Sequence, residues 1–511
     1  MNILLLSLQE NIDTIGLKYL HYNLLANGYQ SHILYLPTLK HGDTAQLNNI
    51  REFIEEIDPG VIGISLMSNE YDSACYLTES LKKMGISIPI VWGGIHPTVE
   101  PKSCVDYADY ICIGEGDNTI LDIASALSDN RGIKDINNLC YMEEGWLRRN
   151  QLYPLIDDLD SIPIADNVPK NSFILLKRTI SPLTKKIFRK FSRWSGSSYN
   201  IVTSRGCPFN CTFCANNFIS SLHGARRIRR RSIENVIQEL ERAVRDNPEI
   251  KIINLQDSSF LIGRSEYAVE FCEAYKKRVG IPFVVRSIPV YVTPEIIECL
   301  KNAGMAWITI GLQSGSDRVC KEIYKRESYQ ADFLRAATII KDYNLAAFYD
   351  VILDNPFETE EDMLQTAKAL IRTPKPFYVQ FMSLWLFCGT ELFERAKIEC
   401  PAKIKDWRGF NYHYPRKTDI NKIVRIAAYS HKKIAKKAIS LYQSKPGSLE
   451  CKAFLYAVSL LSAFIFEPVS YFRILKLSFR GSLIKTLMRI STYFRVGMIH
   501  YINQFVGNAS K

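Results

Sequence analysis

Three cysteines, Cys207, Cys211 and Cys214, fall within eight residues in the stretch Ser204-Arg-Gly-Cys207-Pro-Phe-Asn-Cys211-Thr-Phe-Cys214-Ala-Asn-Asn217. Soft thiolates spaced this way on one loop can each take one iron of a 4Fe–4S cubane. A closed structural cluster wants four such ligands. Three leave one iron with an open position, which is what a catalytic metal needs. A structural zinc site would show a second Cys-x-x-Cys pair or a pair of histidines. No second pair occurs, and the nearest histidine, His223, has no companion. Zinc and three unligated thiols stay as the weaker alternatives. The rest of the 13 cysteines are scattered among apolar neighbours and read as buried free thiols.

The elements that must position this loop alternate between strand and helix. Strands are expected at 2–8, 31–36, 61–66, 89–92 and 110–113, with helices between them ending at signals such as Gly28 and Gly85. That alternation predicts a doubly wound parallel sheet over residues 1–140, Rossmann-like in type. Ligands of such sheets lie beyond the carboxyl ends of the strands, where Gly93, Gly94 and the turn Gly114-Glu115-Gly116 fall. Residues 141–195 break the pattern and read as a linker, closing with the basic, aromatic stretch Lys185–Trp194. Alternation resumes over 196–400, with strands expected at 201–203, 252–255, 282–286, 307–311, 348–353 and 378–382. Six strand–helix repeats predict a partial (β/α)6 barrel. Residues 401–511 read as a helical, basic region.

A chain of 511 residues exceeds one ordinary core, so two or three domains are expected. Its composition, 47% hydrophobic and 23% charged, is that of a globular protein. The net charge of +11 suits an anionic ligand, nucleic acid or a membrane surface. Met1–Leu8 has no basic n-region and reads as a first strand, not a signal peptide. No stretch reads as the roughly 18–20 apolar residues of a spanning helix, so a cytoplasmic location is expected.

Cys207-x-x-x-Cys211-x-Phe213-Cys214 resembles the signature of the radical S-adenosylmethionine superfamily, including the aromatic before the third cysteine. The approach through Arg205-Gly206 and the helix start Arg229-Arg230-Arg231-Ser232 resemble it too. The resemblance implies that the open iron chelates the methionine moiety of S-adenosylmethionine. Reduction then breaks the sulfur–C5′ bond, and a 5′-deoxyadenosyl radical takes hydrogen from the substrate. It also implies cofactor-facing roles for Phe213, for Asp257 at the second strand end and for Arg286 on the third strand. Gln313 and Ser314, in Gly311-Leu-Gln313-Ser314-Gly315, are implied at the next strand end. The sequence departs from the family pattern at Gln256, at Gln313, and at Asp354 and Phe357 in the turn Asp354-Asn-Pro356-Phe-Glu358-Thr359.

The first domain is similar to the cobalamin-binding domain found upstream in one branch of that superfamily. The matching parts are Gly16-Leu17, Trp92-Gly93-Gly94-Ile-His96 and Ile113-Gly114-Glu115-Gly116-Asp117. The resemblance implies corrin contacts at Gly16, Gly93, Gly94, Gly114, Glu115 and Gly116. The Asp-x-His-x-x-Gly motif that brings a lower imidazole to cobalt is missing; Asp13-Thr-Ile-Gly16 stands in its place. His96 is a weaker candidate for that ligand.

Cobalamin-dependent radical methylation of an unactivated carbon is the leading expectation. Radical cyclisation or oxidation without methyl transfer is one alternative, and a non-catalytic iron–sulfur sensor is another. Such an enzyme implies a reducing partner such as flavodoxin or ferredoxin. The apolar stretch Ala453–Phe466 and the spaced cations from Arg473 to Arg495 form a basic amphipathic pattern. With Lys185–Trp194 it suggests a small-molecule or lipid-like substrate and peripheral membrane contact. Nucleic acid ranks lower, because no RNA-binding module is visible.

Overall fold

The run Asn2–Ser7 is Asn-Ile-Leu-Leu-Leu-Ser, without the alternation of a strand that faces water on one side. Such a run suits a strand covered on both faces. In the computed structural model, which describes residues 1–192, 196–263, 265–404 and 415–479, it forms β1. Leu4 and Leu6 enter one apolar core with Ile62, Ile64 and Trp92. Ile3 and Leu5 enter the opposite core with Ile33, Tyr35 and Val61.

By its contacts the described chain forms two compact units. One comprises 1–208, 213–251 and 386–404; the other comprises 209–212, 252–385 and 415–479. In the first unit, β1 (Asn2–Ser7), β2 (Gln30–Tyr35), β3 (Pro59–Ser65), β4 (Ile90–Gly93) and β5 (Tyr110–Cys112) are joined by β6 (Leu139–Glu143), β7 (Trp146–Arg149), β8 (Ser172–Leu176) and β9 (Thr179–Pro182). The order is β7-β6-β5-β4-β3-β1-β2-β8-β9. The strands from β5 through β8 in that order run parallel, and the hairpins at either edge are antiparallel. The doubly wound sheet is as expected. The stretch 141–195 is more than a linker: β8 and β9 return to pair beside β2, and most of β6 and all of β7 extend the other edge. The helix Lys185–Phe191 follows, capped by the Thr184 hydroxyl, while residues 193–195 at the end of the basic stretch lie outside the described residues.

The first unit also holds β10 (Ser198–Ile201), β11 (Ser204–Arg205) and β12 (Arg229–Arg230). β10 lies a few residues earlier than the expected 201–203. The helix Ile233–Asp246 starts where the Ser232 hydroxyl accepts from the Asn235 N–H. It buries Ile233, Val236, Ile237, Leu240 and Ala243, one face at helical spacing.

The second unit contains β13 (Ile252–Leu255), β14 (Phe283–Ser287), β15 (Met305–Gln313), β16 (Ala346–Leu353) and β17 (Tyr378–Ser383). Each pairs parallel to the next. The helices Ser265–Arg278, Pro294–Ala303, Gln330–Asp342 and Glu360–Arg372 make the crossovers, as in a β/α barrel. Pro294 opens its helix behind the Thr293 cap, and Gly304 closes it at φ 107°.

Helices Asp419–Tyr429 and Lys432–Ser444 follow. The chain then forms one 30-residue helix, Leu449–Ser478, long and apolar enough by length and composition to cross a membrane. This corrects the expectation that no such stretch exists. Charged residues at Lys452, Glu467 and Arg473 interrupt the run and hide its length from a search for an unbroken apolar segment. The cations from Arg480 onward lie outside the described residues.

Candidate functional site

The loop carrying the cysteines starts from a short antiparallel ladder in the first unit, with Ser204 opposite Arg230 and Arg205 opposite Arg229. Gly206 then turns at φ 91°, and a Cβ there would strike the Arg227 carbonyl, so only glycine fits. Cys207 follows, its carbonyl accepting from the Ser220 hydroxyl at 3.4 Å. Cys214, also in the first unit, is the N-cap residue of the helix Ala215–Leu222. Burial pushes its thiol up, while the N–H groups of Asn216 and Asn217 oppose that shift by favouring the thiolate. Phe213 is half-buried beside it.

Cys211 belongs to the second unit. Its neighbour Thr212 is held there by two bonds, N–H to the Tyr324 carbonyl at 3.0 Å and hydroxyl to the Ile323 carbonyl at 2.6 Å. All three thiols are unbridged and half-buried. Among the described residues, no group of three or more His, Cys, Asp or Glu side chains gathers closely enough for one metal ion. A cubane makes a different demand, one iron per thiolate, and the spacing of the three cysteines along one stretch of chain suits it.

The strand ends of the second unit hold an unusual set of polar groups. Arg326 is 6% exposed, and its Nη2 donates to the Gly311 carbonyl at 2.8 Å. Its Nη1 has no partner among the described residues. Burial pushes the guanidinium down, and the nearby Cys211 sulfur is the first influence that holds it up. Asp350 on β16 is also buried, which raises its carboxyl against the pull of Arg286 and Arg326. Arg286 reaches it at 3.6 Å. Gln313 ends β15 at φ 61°, after a register shift between Gly311 and Gln313, so its amide folds back over Gly311. Ser314 is buried, with Thr366 at 3.4 Å, and Asp257 is 2% exposed near the end of β13. Glu358, in the turn after β16, is pushed up to about 8 by burial.

Gln313 Oε1, Arg326 Nη1, Asp350 Oδ1 and Glu358 Oε2 are all buried without a partner among the described residues. Folded proteins pair the great majority of such atoms, and charged or amide groups left open near the strand ends suit a polar ligand. Asp257, Arg286, Gln313 and Ser314 were expected from sequence. Arg326, Asp350 and Glu358 were not. Arg326 follows a π turn at Val319–Ile323, whose extra residue per turn leaves no periodic signal.

The first unit ends its strands differently. β1, β3, β4 and β5 finish in Ser7, Ser65, Gly93 and Cys112, all small. Just beyond β3 and β4, Met67 and Ile95 are 42% and 39% exposed. A low edge with exposed apolar side chains fits a flat macrocycle. Gly16 has open space around its Cα, and Gly93 has only Cys112 nearby. Gly94, at φ 101°, is required by its own neighbours, since a Cβ would stand 2.6 Å from the Leu66 carbonyl oxygen.

The turn Gly114-Glu115-Gly116 is engaged by arginines of the cysteine-loop hairpin. Arg229 forks onto the Glu115 carboxylate, and Arg205 lies 3.5 Å from it. Arg205 also makes a two-pronged pair with Asp117 at 2.8 and 3.1 Å. A Cβ on Gly114 would meet His223 Nε2 at 3.1 Å, and Gly116 packs on Cys112. Glu115, expected to face a cofactor, thus spends its charge on these arginines. His96 is fully buried, with Nδ1 on Ser68 Oγ and Nε2 on Ser103 Oγ, each at 3.1 Å. Burial lowers it to about 4, and with both nitrogens engaged it is a core histidine, not an open ligand. In the first loop Asp13 is bound to Lys18 at 3.0 Å and to Asn200.

Residues 201–370 match the pattern of the radical SAM superfamily, and residues 1–124 match the B12 binding domain. An uncharacterised methyltransferase of Pyrococcus horikoshii is 28% identical over 76% of this chain and 79% of its own length. An anaerobic magnesium-protoporphyrin IX monomethyl ester cyclase of Rubrivivax gelatinosus is 24% identical over 78% of this chain and 68% of its own. The cobalamin-dependent S-adenosylmethionine radical enzyme OxsB, solved with aqua-cobalamin bound, superposes with a TM-score of 0.66 at 17% identity, covering 97% of this chain and 81% of that one. At that identity it shares the fold.

Proposed function

We infer that this chain, a radical S-adenosylmethionine enzyme with an N-terminal B12-binding domain, methylates an unactivated carbon of a small-molecule or lipid-like substrate. Its cofactors are a 4Fe–4S cluster, S-adenosylmethionine and cobalamin; when bound they supply a carbon-centred radical and a methyl donor. The observation that carries the reading is the three-thiol loop together with Arg326, a buried guanidinium in the unit that holds Cys211, whose Nη1 has no partner among the described residues. A carboxylate at the open iron is the partner this cation lacks.

Cys207, Cys211 and Cys214 hold the cluster in this reading. Arg326 binds the methionine carboxylate, and Asp350 takes the amino group. Gln313 and Ser314 offer hydrogen bonds to the ribose, Asp257 lines the same cofactor, and Phe213 precedes Cys214 on the cluster loop. Arg286 steadies Asp350 through their 3.6 Å contact. Gly16, Gly93 and Gly94, with Met67 and Ile95, line the corrin face. Gly114, Glu115 and Gly116 shape the turn beside it, with Glu115 held by arginine. A reductant of the flavodoxin or ferredoxin class delivers the electron.

The test is transfer of a CD3 group. Anaerobically reconstituted protein, given reductant and S-adenosylmethionine labelled at the methyl, is incubated with metabolite extract from a strain lacking the enzyme. A product heavier by one CD3 in place of hydrogen supports methylation. A product that forms without label shows cyclisation or oxidation instead, and rejects the methyltransferase reading.

A further inference from the structure

The helix Leu449–Ser478 has two faces of opposite character. Leu455, Val458, Tyr471, Ile474 and Leu475 are buried, and the last three pack on Ala346 and Phe348 of β16. The other face exposes Leu449, Tyr456, Leu461, Phe464, Ile465 and Phe472, with Tyr456 at 61% and Phe464 at 60%. A π turn at Ser462–Phe466 inserts one residue into the spiral. At 100° per residue the exposed positions before and after that turn would otherwise drift apart. The insertion returns Phe472 to the stripe begun by Leu449 and Tyr456, so the apolar face stays continuous along the helix.

Cations border this face. Lys452, Arg473 and Lys476 are exposed on the helix itself, and Lys432, Lys433, Lys436 and Lys437 are exposed on the helix Lys432–Ser444 before it. Lys437 lies over the Phe454 ring at 5.2 Å, which joins the two helices. These helices contain two acids, and both are neutralised: Glu450 pairs with Lys445 at 2.8 Å, and buried Glu467 is held by Arg425 and Tyr378.

We propose that this face is a docking surface for an anionic phospholipid bilayer, with the helix lying in the plane of the interface. An exposed apolar stripe between cations is the form that binds there. One side of the helix is fixed along its own unit, so it lies on the bilayer and does not cross it. A second copy is a poorer occupant. A two-fold contact sets the same patch against itself and would bring the lysine borders together, whereas anionic headgroups neutralise them. The proposal is independent of the reaction catalysed.

The test is flotation of the reconstituted full chain with vesicles of phosphatidylcholine, alone or mixed with phosphatidylglycerol. The protein should float with the anionic vesicles and far less with neutral ones, and added salt should weaken the association. The double substitution Phe464→Glu, Ile465→Glu alters exposed positions and should cut the bound fraction about tenfold. A separate Phe464→Trp variant should shift its emission to the blue only with anionic vesicles. Absence of both flotation and the blue shift, in proteins whose circular dichroism matches the parent, overturns the proposal. So does light scattering that shows a parent dimer broken by the double substitution without vesicle binding, because a second copy then covers the face.

Discussion

The two units end their parallel strands in opposite ways. In the second, Gln313, Arg326, Asp350 and Glu358 keep buried polar atoms without partners among the described residues. In the first, β1, β3, β4 and β5 end in small residues, and the nearby charges of Glu115 and Asp117 are already held by Arg205 and Arg229. A buried unpaired polar atom costs about 1–3 kcal/mol, so these four favour a polar ligand, which in the proposed reading is the zwitterionic end of S-adenosylmethionine. The first asks for area and shape. The contrast matches an amino-acid-derived cofactor in one unit and a corrin in the other.

The comparison can be broken most forcefully at the cysteine loop. Cys211→Ala should abolish 5′-deoxyadenosine formation, read by chromatography of anaerobic reactions, and leave corrin binding unchanged. Next in size is Asp117→Asn. It removes a charge from a largely buried pair and should cost roughly 3 kcal/mol, seen as a lower urea midpoint for the first unit. Arg326→Gln should weaken S-adenosylmethionine binding by about 10- to 100-fold in calorimetry, the range expected when a charged hydrogen bond is lost. Met67→Glu should weaken cobalamin binding several-fold, about 1 kcal/mol, and leave S-adenosylmethionine untouched.

Glu358 adds a pH dependence. Its carboxyl is raised from 4.5 to about 8 by burial, so the folded state favours the neutral form. The folded protein then binds more protons than the unfolded chain between those values, and stability falls as pH rises through that window. Glu358→Gln, which imitates the neutral acid, should match the parent near pH 4.5 and exceed it increasingly toward pH 8. Thermal melts at several pH values check this.

Much of this was legible in the sequence where spacing is local. The cysteine loop, the alternation of strand and helix, and the strand end at Gly93 follow from short-range pattern, while Asp257, Gln313 and Ser314 came from the family resemblance. Long-range edge pairing did not show. The β8–β9 hairpin turns through Lys177 at φ 56° without the Asn-Gly or Asp-Gly that marks a tight turn. The two π turns hid Arg326 and the continuous apolar face of Leu449–Ser478, because each breaks the period on which a helical face is recognised. Glu115 misled for another reason: its place in the corrin-domain turn said nothing of the distant Arg205 and Arg229 that bind it.

The most direct test is reductive cleavage of S-adenosylmethionine by the anaerobically reconstituted parent protein. With a full cluster loaded and a low-potential reductant, 5′-deoxyadenosine should accumulate, and addition of S-adenosylmethionine should change the EPR spectrum of the reduced cluster. A loaded, reduced cluster that gives neither the nucleoside nor the spectral change would contradict the account.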